Sequence, residues 1–330
     1  MTRLTRFLPT LLSLAGLAGL TSPAAFAQGG AAASAPFPSK AITIVVGSSP
    51  GSTTDGLARA IGAEITAATK VPVVVENKAG ASGGIAAQSV ARAAPDGYTL
   101  FITTNTTQAA NPHLFRKLAY DPVKDFAPVG ALVKGYLLLV TNPRIPARNV
   151  TELSAIARKQ QLTFGAGSSS ARVAAELFQQ MTQTQLTYVP YKANPQAMVD
   201  LVGGQVDLMI VDLTTSLPQV KAGKLKALGV SSPRRSPLVP ELPTIAEAGL
   251  PGYEISYWNA VYAPAGTPAP VVERINALML KAMTAEPVKR FVEQNGMEPF
   301  TSSPSELASF QAAEYKRWGA VIKTAGIQPE

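Results

Sequence analysis

The chain of 330 residues contains no cysteine. Without cysteine, the protein has no disulfide framework, no thiolate nucleophile and no residue that could anchor the mature N-terminus to a lipid. Long hydrophobic runs are absent as well, since no apolar stretch reaches the roughly 20 residues that a membrane-spanning helix needs. We therefore expect the fold to depend on its hydrophobic core alone.

Histidine occurs once, at His113, and this scarcity decides how one short motif is interpreted. Residues 47–51 read GSSPG and fit the G-x-S-x-G pattern of a serine nucleophile. That pattern takes an oxyanion donor from the backbone N–H of the residue after the serine, but Pro50 has no N–H. A hydrolase of this type also needs its histidine late in the chain. The sequence therefore predicts that Ser49 is not a nucleophile, and it predicts no enzyme, catalytic residue, metal or cofactor.

Clusters of basic residues interleaved with aromatic ones are also missing, although the net charge is +8. Lysine and arginine are dispersed along the chain, so the sequence predicts no binding of nucleic acid. A mild positive charge suits an anionic small molecule. It does not by itself identify one.

The first residues carry a targeting pattern. Arg3 and Arg6 precede an apolar stretch from 7 to 20, and Ala-Phe-Ala at 25–27 is a small-x-small cleavage site. This is the pattern of a secretory signal peptide. We expect residues 1–27 to be removed and the mature protein to lie in the periplasm.

Short apolar runs then alternate with helical patterns. The runs typical of buried strands are AITIVV at 41–46, VPVVVE at 71–76, YTLFIT at 98–103 and YLLLVT at 136–141. Helical patterns at 54–69 and 85–93 separate the first three runs. This alternation predicts βαβ units and a parallel sheet.

The same alternation restarts after residue 149. Predicted helices at 151–160, 172–182, 195–203 and 214–222 alternate with predicted strands at 162–166, 186–191, 206–212 and 225–230. After residue 270 only helical patterns remain, and we expect them to pack on the first sheet. About 300 residues after the signal also favour two domains. The predicted fold is α/β, with two doubly wound lobes, 37–138 plus 262–330 and 139–261, joined by a hinge of two strands near 136–141 and 255–262.

One loop in the first lobe has the composition of an anion site. GSSPGSTTDG at 47–56 follows a strand and opens a helix, whose N-terminus presents unpaired N–H groups and a positive dipole end. The candidate ligand-binding residues here are Ser48, Ser49, Gly51, Ser52 and Thr53. Neither a Walker A motif nor G-x-G-x-x-G is present, so the loop favours a carboxylate over a phosphate. The alternative is a capped helix start, which we favour for Asp55.

A second loop of this kind lies in the other lobe, in FGAGSSSARVAAELF at 164–178. Its candidates are Ser168, Ser169, Ser170 and Arg172. Open α/β sheets bind ligands at the carboxyl ends of their strands, so the two loops should face each other across a cleft. Arg172 either contacts an anionic ligand or is an exposed helix residue, and the sequence leaves both open.

Three further positions follow predicted strands. Asn105, Thr106 and Thr107 lie after the third strand of the first lobe. Asp212 lies after a strand of the second. Each of these residues either faces the cleft or caps its own helix. Tyr257 and Trp258, on the second crossing, could pack against a ligand, and we expect one of them to pack in the core of the hinge.

Several long motifs together carry a resemblance to a known family. They are GSSPGSTTDGLAR, VVVENKAGASGGIAA, AAPDGYTL, VPYKANPQAMVDLVGGQVD and RRSPLVPELPTIAEAGLPGYE followed by YAPAGTPAP. In this order, from about Ser39 to the end of the chain, they resemble the Bug family, the periplasmic substrate-binding receptors of tripartite tricarboxylate transporters. The resemblance implies a monomeric Venus flytrap protein that closes on a small organic acid. The acid would be held by backbone and hydroxyl groups of the first loop and by bridging water.

The chain departs from the family at the candidate site. Members usually have an apolar or aromatic pair with proline at 47–49, a double glycine at 51–52, and often histidine in place of Arg172. The more polar loop of this chain would fit a larger or doubly charged ligand.

The resemblance implies delivery of a mono-, di- or tricarboxylate, aliphatic or aromatic, to membrane permease subunits. An extracytoplasmic sensing module for a signalling receptor would use the same cleft. The sequence leaves these two functions open.

Overall fold

The first sheet contains the parallel strands that the sequence predicted. The computed structural model describes residues 37–330, and these residues lie in one compact unit. The strands of the first sheet are β1 (Ile42–Val46), β2 (Val73–Asn77), β3 (Thr99–Thr104), β4 (Phe126–Thr141), β9 (Ser256–Pro264) and β10 (Met297–Pro299). They lie in the order β2-β1-β3-β9-β4, and β10 pairs with β4. β1 is parallel to β2 and β3, whereas β9 is antiparallel to β3 and β4.

Helices from both ends of the described chain cover this sheet. They are α1 (Thr53–Thr69), α2 (Gly84–Ala91), α3 (Asn111–Leu114), α8 (Ala269–Met283), α9 (Glu286–Gln294) and α10 (Pro304–Thr324). α8 and α10 pack on β4, and α9 packs on α1. The late helices therefore return to the first sheet, as predicted. A 3₁₀ turn at Ala81–Gly83 and a π-helical turn at Thr106–Ala110 precede α2 and α3.

The second sheet is built from the middle of the chain. Its strands are β5 (Leu162–Ala166), β6 (Leu186–Pro190), β7 (Leu208–Asp212) and β8 (Lys226–Val230). β5 is parallel to β6 and β7, and the last residues of β4 pair antiparallel with β7 and β8. Its helices are α4 (Val150–Ala157), α5 (Ser169–Thr182), α6 (Asn194–Gly203) and α7 (Leu213–Lys221). We call each sheet with its helices a lobe, the first and the second.

The chain passes between the lobes twice. β4, of 16 residues, pairs with β9 in the first sheet and continues into the second. The return runs through Ile255, whose N–H donates to the Ser231 carbonyl at 3.2 Å, and enters β9. β9 itself pairs only in the first sheet, so β4 is the strand that both sheets share.

Most predicted elements are present within a few residues, but two strands differ. The expectation of helices alone after residue 270 was wrong, because β10 pairs antiparallel with β4 over three residues. β4 also begins ten residues before the predicted run at 136–141. Proline and glycine at Pro128, Gly130 and Gly135 interrupt its apolar pattern, which hid this half of the strand.

The hydrophobic core extends through both lobes, and a second cluster of buried apolar residues lies within the second lobe. Every residue of β9 is buried, and Trp258 and Tyr262 are among the largest fully buried side chains.

No helix among residues 37–330 is long and apolar enough to cross a membrane. The same residues hold no group of histidine, aspartate and glutamate that could bind a metal ion. The predicted signal peptide lies outside the described residues.

Candidate functional site

A cavity of about 100 Å³ lies between the two lobes, where strands of both sheets end. Its lining comes from the loops after β1, β3, β5, β6 and β7, together with the 3₁₀ turn before α2. The carboxyl ends of parallel strands meet at this edge, so the helices that follow begin there. The N-termini of α1, α5, α6 and α7 therefore border one small volume.

The first predicted loop contributes hydroxyl groups to the cavity. Ser52 caps α1 by accepting a hydrogen bond from the Asp55 N–H at 3.3 Å, and its Oγ lies 2.6 Å from that of Ser48. Ser48, Ser52 and Thr53 line the cavity, as the sequence predicted. Ser49 and Gly51 are not among the lining residues, so the loop turns its middle away from the cavity.

Asp55 holds this loop in place. Its side chain accepts hydrogen bonds from the Gly51 N–H at 3.0 Å and from Asn77 Nδ2 at 2.9 Å, and it pairs with Arg59 at 2.9 Å. Burial alone would raise the pKa of Asp55, but these three partners together hold it below its usual value. Asp55 is buried and lies outside the cavity lining, which agrees with the structural role favoured for it.

The second predicted loop also brings two of its three serines to the cavity. Ser168 caps α5 by accepting from the Ala171 N–H at 3.2 Å, and both Ser168 and Ser170 line the cavity. Ser169 does not, because its hydroxyl donates to Asn111 Oδ1 of the first lobe at 2.6 Å. This second loop is therefore in contact with both the cavity and the opposite lobe.

The residues after β3 are divided in the same way. Thr106 and Thr107 line the cavity, and the hydroxyl of Thr106 is 3.1 Å from that of Ser170. Asn105 is fully buried behind them and is not a lining residue. Its Nδ2 donates to Ser170 Oγ at 3.0 Å, and its Oδ1 accepts from the Trp258 N–H at 3.4 Å. Asn105 therefore positions the wall of the cavity.

Asp212 has both of the roles that the sequence left open. Its Oδ1 caps α7 by accepting from the Thr215 N–H at 2.9 Å. It also lines the cavity, where Oδ1 accepts from Thr53 Oγ1 of the first lobe at 2.8 Å. This hydrogen bond joins the two lobes directly across the cavity.

Arg172 is not among the residues that line the cavity. Its guanidinium donates to Glu330 Oε1 at 2.6 Å and lies 4.7 Å from the centre of the Tyr188 ring. α5 points this side chain, which is 12% exposed, toward the last residues of the first lobe. The sequence left open whether Arg172 contacts a ligand or is an exposed helix residue, and the anion beside it in the structure is Glu330.

Residues 57–327 match a family model described as "Tripartite tricarboxylate transporter family receptor". The chain belongs to this family of receptors. The match spans both lobes, and it confirms the resemblance that the sequence motifs carry.

Three solved structures are similar to this receptor over nearly its whole described length. An R. palustris protein with adipate is 37% identical with a TM-score of 0.86, over 89% of this chain and 100% of that protein. The periplasmic binding protein BugD is 30% identical with a TM-score of 0.85, over 89% and 100%. MatC from Rhodopseudomonas palustris with bound malate is 34% identical with a TM-score of 0.82, over 87% and 100%. The predicted two-lobed α/β architecture of a periplasmic binding protein is thus confirmed.

The receptor cavity includes residues that the sequence analysis missed. Ser82 and Gly83 of the 3₁₀ turn, Lys192 and Asn194 before and in the first turn of α6, and Thr215 all line it. The signal was available in part, because ASGG follows β2 and KANP follows β6, which places both at the same carboxyl edge. The sequence did not reveal which of several such loops would meet.

The two aromatic residues of the hinge divide their roles as expected. Tyr257 lines the cavity, whereas Trp258 is fully buried and its indole N–H donates to Glu314 Oε2 at 3.0 Å. Burial, and then the charge of Asp212, raise the pKa of Tyr257 well above its usual value, so its hydroxyl stays protonated.

The chemistry of the receptor site is that of binding. Lys192 and Asp212 are the charged side chains among the described lining residues, and most of the others offer hydroxyl groups or the N-terminal N–H groups of helices. Ser49 has no histidine partner, because His113 Nε2 bonds to the Tyr315 carbonyl at 2.9 Å. Hydroxyl groups and helix N-termini of this kind can hold a small anion.

Proposed function

We propose that this receptor captures a small organic acid in the cavity between its lobes and delivers it to the membrane subunits of a tripartite transporter. The observation that carries the proposal is the meeting of four helix N-termini and several hydroxyl groups around one small cavity. Helix N-termini and hydroxyls favour a negative charge, and a cavity between two sheets can close around it.

The similar structures support a carboxylate as the bound anion. One was solved with adipate and another with malate, and both of these ligands are dicarboxylates. We propose a dicarboxylate as the first class to test, ahead of monocarboxylates and tricarboxylates. Lys192, which is exposed and lines the cavity, would attract the second carboxylate as the ligand enters.

The proposed location and partners follow from the same family. The predicted signal peptide directs the chain across the inner membrane, and BugD is a periplasmic binding protein. The family description favours transport over the sensing alternative. We propose a monomer as the active unit, as the family resemblance implies. The lobes at 37–138 plus 262–330 and at 139–261 would close as rigid bodies.

A binding screen tests the proposal directly. The mature protein is heated with aliphatic and aromatic mono-, di- and tricarboxylates, and hits are measured by calorimetry. A ligand at about 100 times its dissociation constant adds roughly 2.7 kcal/mol to the folded state, which is a clear thermal shift. If no carboxylate shifts the transition, the proposal is wrong.

A matched pair of cap variants tests whether the cavity is the site. Ser168→Asp keeps a good N-cap on α5 and adds a negative charge to the cavity. Asn149→Asp makes the same kind of change at the cap of α4, outside the cavity. We expect Ser168→Asp to weaken carboxylate binding more than about tenfold through repulsion, and Asn149→Asp to leave it unchanged. If Ser168→Asp and Asn149→Asp bind the carboxylate with equal affinity, the ligand binds outside this cavity.

A further inference from the structure

One carboxylate stands among the donors of the proposed anion site. Asp212 lines the cavity together with the capping serines of α1 and α5. An anionic ligand in this volume would meet a negative charge at short range, and such contact is unfavourable unless a proton donor lies between the two groups. The presence of Asp212 therefore restricts which anions fit.

The two oxygens of Asp212 differ in how fully they are occupied. Oδ1 accepts three hydrogen bonds, from Thr53 Oγ1 at 2.8 Å, the Thr215 N–H at 2.9 Å and Thr215 Oγ1 at 2.7 Å. Oδ2 has a single long contact, with Asn194 Nδ2 at 3.5 Å. A carboxylate has about four acceptor positions on its two oxygens. The free capacity of Asp212 is therefore concentrated on Oδ2.

A second group on the same wall is left without a partner. Tyr257 is 5% exposed, and its hydroxyl has no hydrogen-bond partner among the described residues. Tyr257 and Asp212 both line the cavity. Buried hydroxyls are nearly always paired, so an orphan hydroxyl and an under-used acceptor in the lining of one cavity point to a polar ligand.

We infer that the cavity selects carboxylates that also carry a hydroxyl or ammonium group, which donates a hydrogen bond to Asp212 Oδ2. The inference rests on the proposed function and names the ligand class of the same site. The ligand's carboxylate lies at the hydroxyl groups and helix N-termini, and its own donor faces Asp212 Oδ2. An unsubstituted acid of the same length brings its charge toward Asp212 with no proton between them.

Matched sets of acids test the inference on the wild-type protein by calorimetry. Succinate, malate and aspartate share a four-carbon skeleton, and glutarate, 2-hydroxyglutarate and glutamate share a five-carbon one. Adipate and 2-aminoadipate give a six-carbon pair. A hydrogen bond to a charged group corresponds to a preference of about ten- to a hundredfold for the donor-bearing member. Comparison of the hydroxy and amino acids identifies which donor the site takes.

Asp212→Asn tests the role of the residue. Asparagine remains a good N-cap, and its Oδ1 can still accept from Thr53 and Thr215. The side-chain NH₂ group of the asparagine is a donor, and it takes the place of the acceptor Oδ2 of Asp212. The affinity of the donor-bearing acid relative to the unsubstituted acid of the same length should therefore fall at least tenfold. Asp200→Asn is the matched control, because Asp200 lies in α6, accepts from Tyr191 Oη and does not line the cavity.

Each outcome decides the question. Equal affinities for the members of every set that binds would overturn the inference and leave the proposed function intact. Absence of binding by any acid would overturn both. A donor preference that persists in Asp212→Asn would also overturn it, since another group would then accept the ligand's proton. If Asp212→Asn fails to fold, the wild-type comparison of the sets still decides.

Discussion

Glu314 is a buried carboxylate that joins two tryptophan side chains in the first lobe. It is 5% exposed, and its Oε2 accepts from the indole N–H of Trp258 at 3.0 Å and of Trp318 at 3.2 Å. Arg317 supplies a nearby positive charge, at 3.3 Å from Oε1. One residue of α10 thus fixes β9 at the point where the chain returns from the second lobe.

We expect Glu314→Ala to destabilise the protein strongly, because both indole N–H groups would lose their partner. Each of the two unpaired buried donors costs about 1–3 kcal/mol, so the free energy of unfolding should fall by about 2–6 kcal/mol. Urea unfolding followed by tryptophan fluorescence measures the change. Glu293→Ala, on the exposed face of α9, is the control and should leave the midpoint unchanged. A Glu314→Ala midpoint equal to wild type would contradict this role.

Ser49 should not react as a nucleophile. Pro50 removes the N–H that would stabilise an oxyanion, and the described histidine, His113, is bonded to the Tyr315 carbonyl. A fluorophosphonate probe should therefore leave the purified protein unlabelled, while a serine hydrolase in the same reaction is labelled. Mass spectrometry that places the probe on Ser49 would overturn this prediction.

At the scale of elements, the junction of β1 and α1 depends on one buried acid. Asp55 links the Gly51 N–H of the loop to Asn77 at the end of β2. Gly51 has a φ of 81°, a conformation that glycine adopts without strain. The loop that presents Ser48 and Ser52 to the cavity is therefore held from behind.

We expect Asp55→Asn to destabilise the protein near neutral pH and to matter less in acid. The pKa of Asp55 is lowered by folding, so its contribution is present above the unfolded value near 4 and is lost as the pH falls through the folded value. The difference in stability between wild type and variant should therefore narrow as the pH falls below about 4. Thermal unfolding at pH 7 and at pH 3 compares them. A constant difference between the two proteins at both values would contradict the prediction.

Some of these elements could be predicted from the sequence, and others could not. The helices that Ser52 and Ser168 cap were placed within a few residues, because a hydroxyl cap follows an apolar strand in each case. The first half of β4 was missed because Gly130 and Gly135 interrupt its pattern. The location of Arg172 was not predictable, since its partner Glu330 lies 158 residues away in the chain.

At the scale of the whole molecule, the lobes are joined by several polar contacts across and beside the cavity. Thr53 bonds to Asp212 at 2.8 Å inside it. The pair of Arg172 and Glu330 lies outside the lining, at 2.6 Å. The first lobe holds Glu330 through its backbone, because the Glu330 N–H donates to the Leu114 carbonyl at 2.9 Å. Contacts of this kind stabilise a closed arrangement without touching a ligand.

Arg172→Ala should therefore weaken the binding of every ligand by the same factor. Glu330 is 56% exposed, and a pair of this exposure contributes under about 1 kcal/mol, or at most about fivefold in affinity. Because the variant changes the equilibrium of closure, succinate and a monocarboxylate should lose affinity equally. Calorimetry on wild type, Arg172→Ala, Glu330→Gln and the double variant tests this, and the double variant should bind as the single ones do. A loss of ten- to a hundredfold confined to the dicarboxylate would instead place the guanidinium on the ligand, which is one of the two alternatives that the sequence left open.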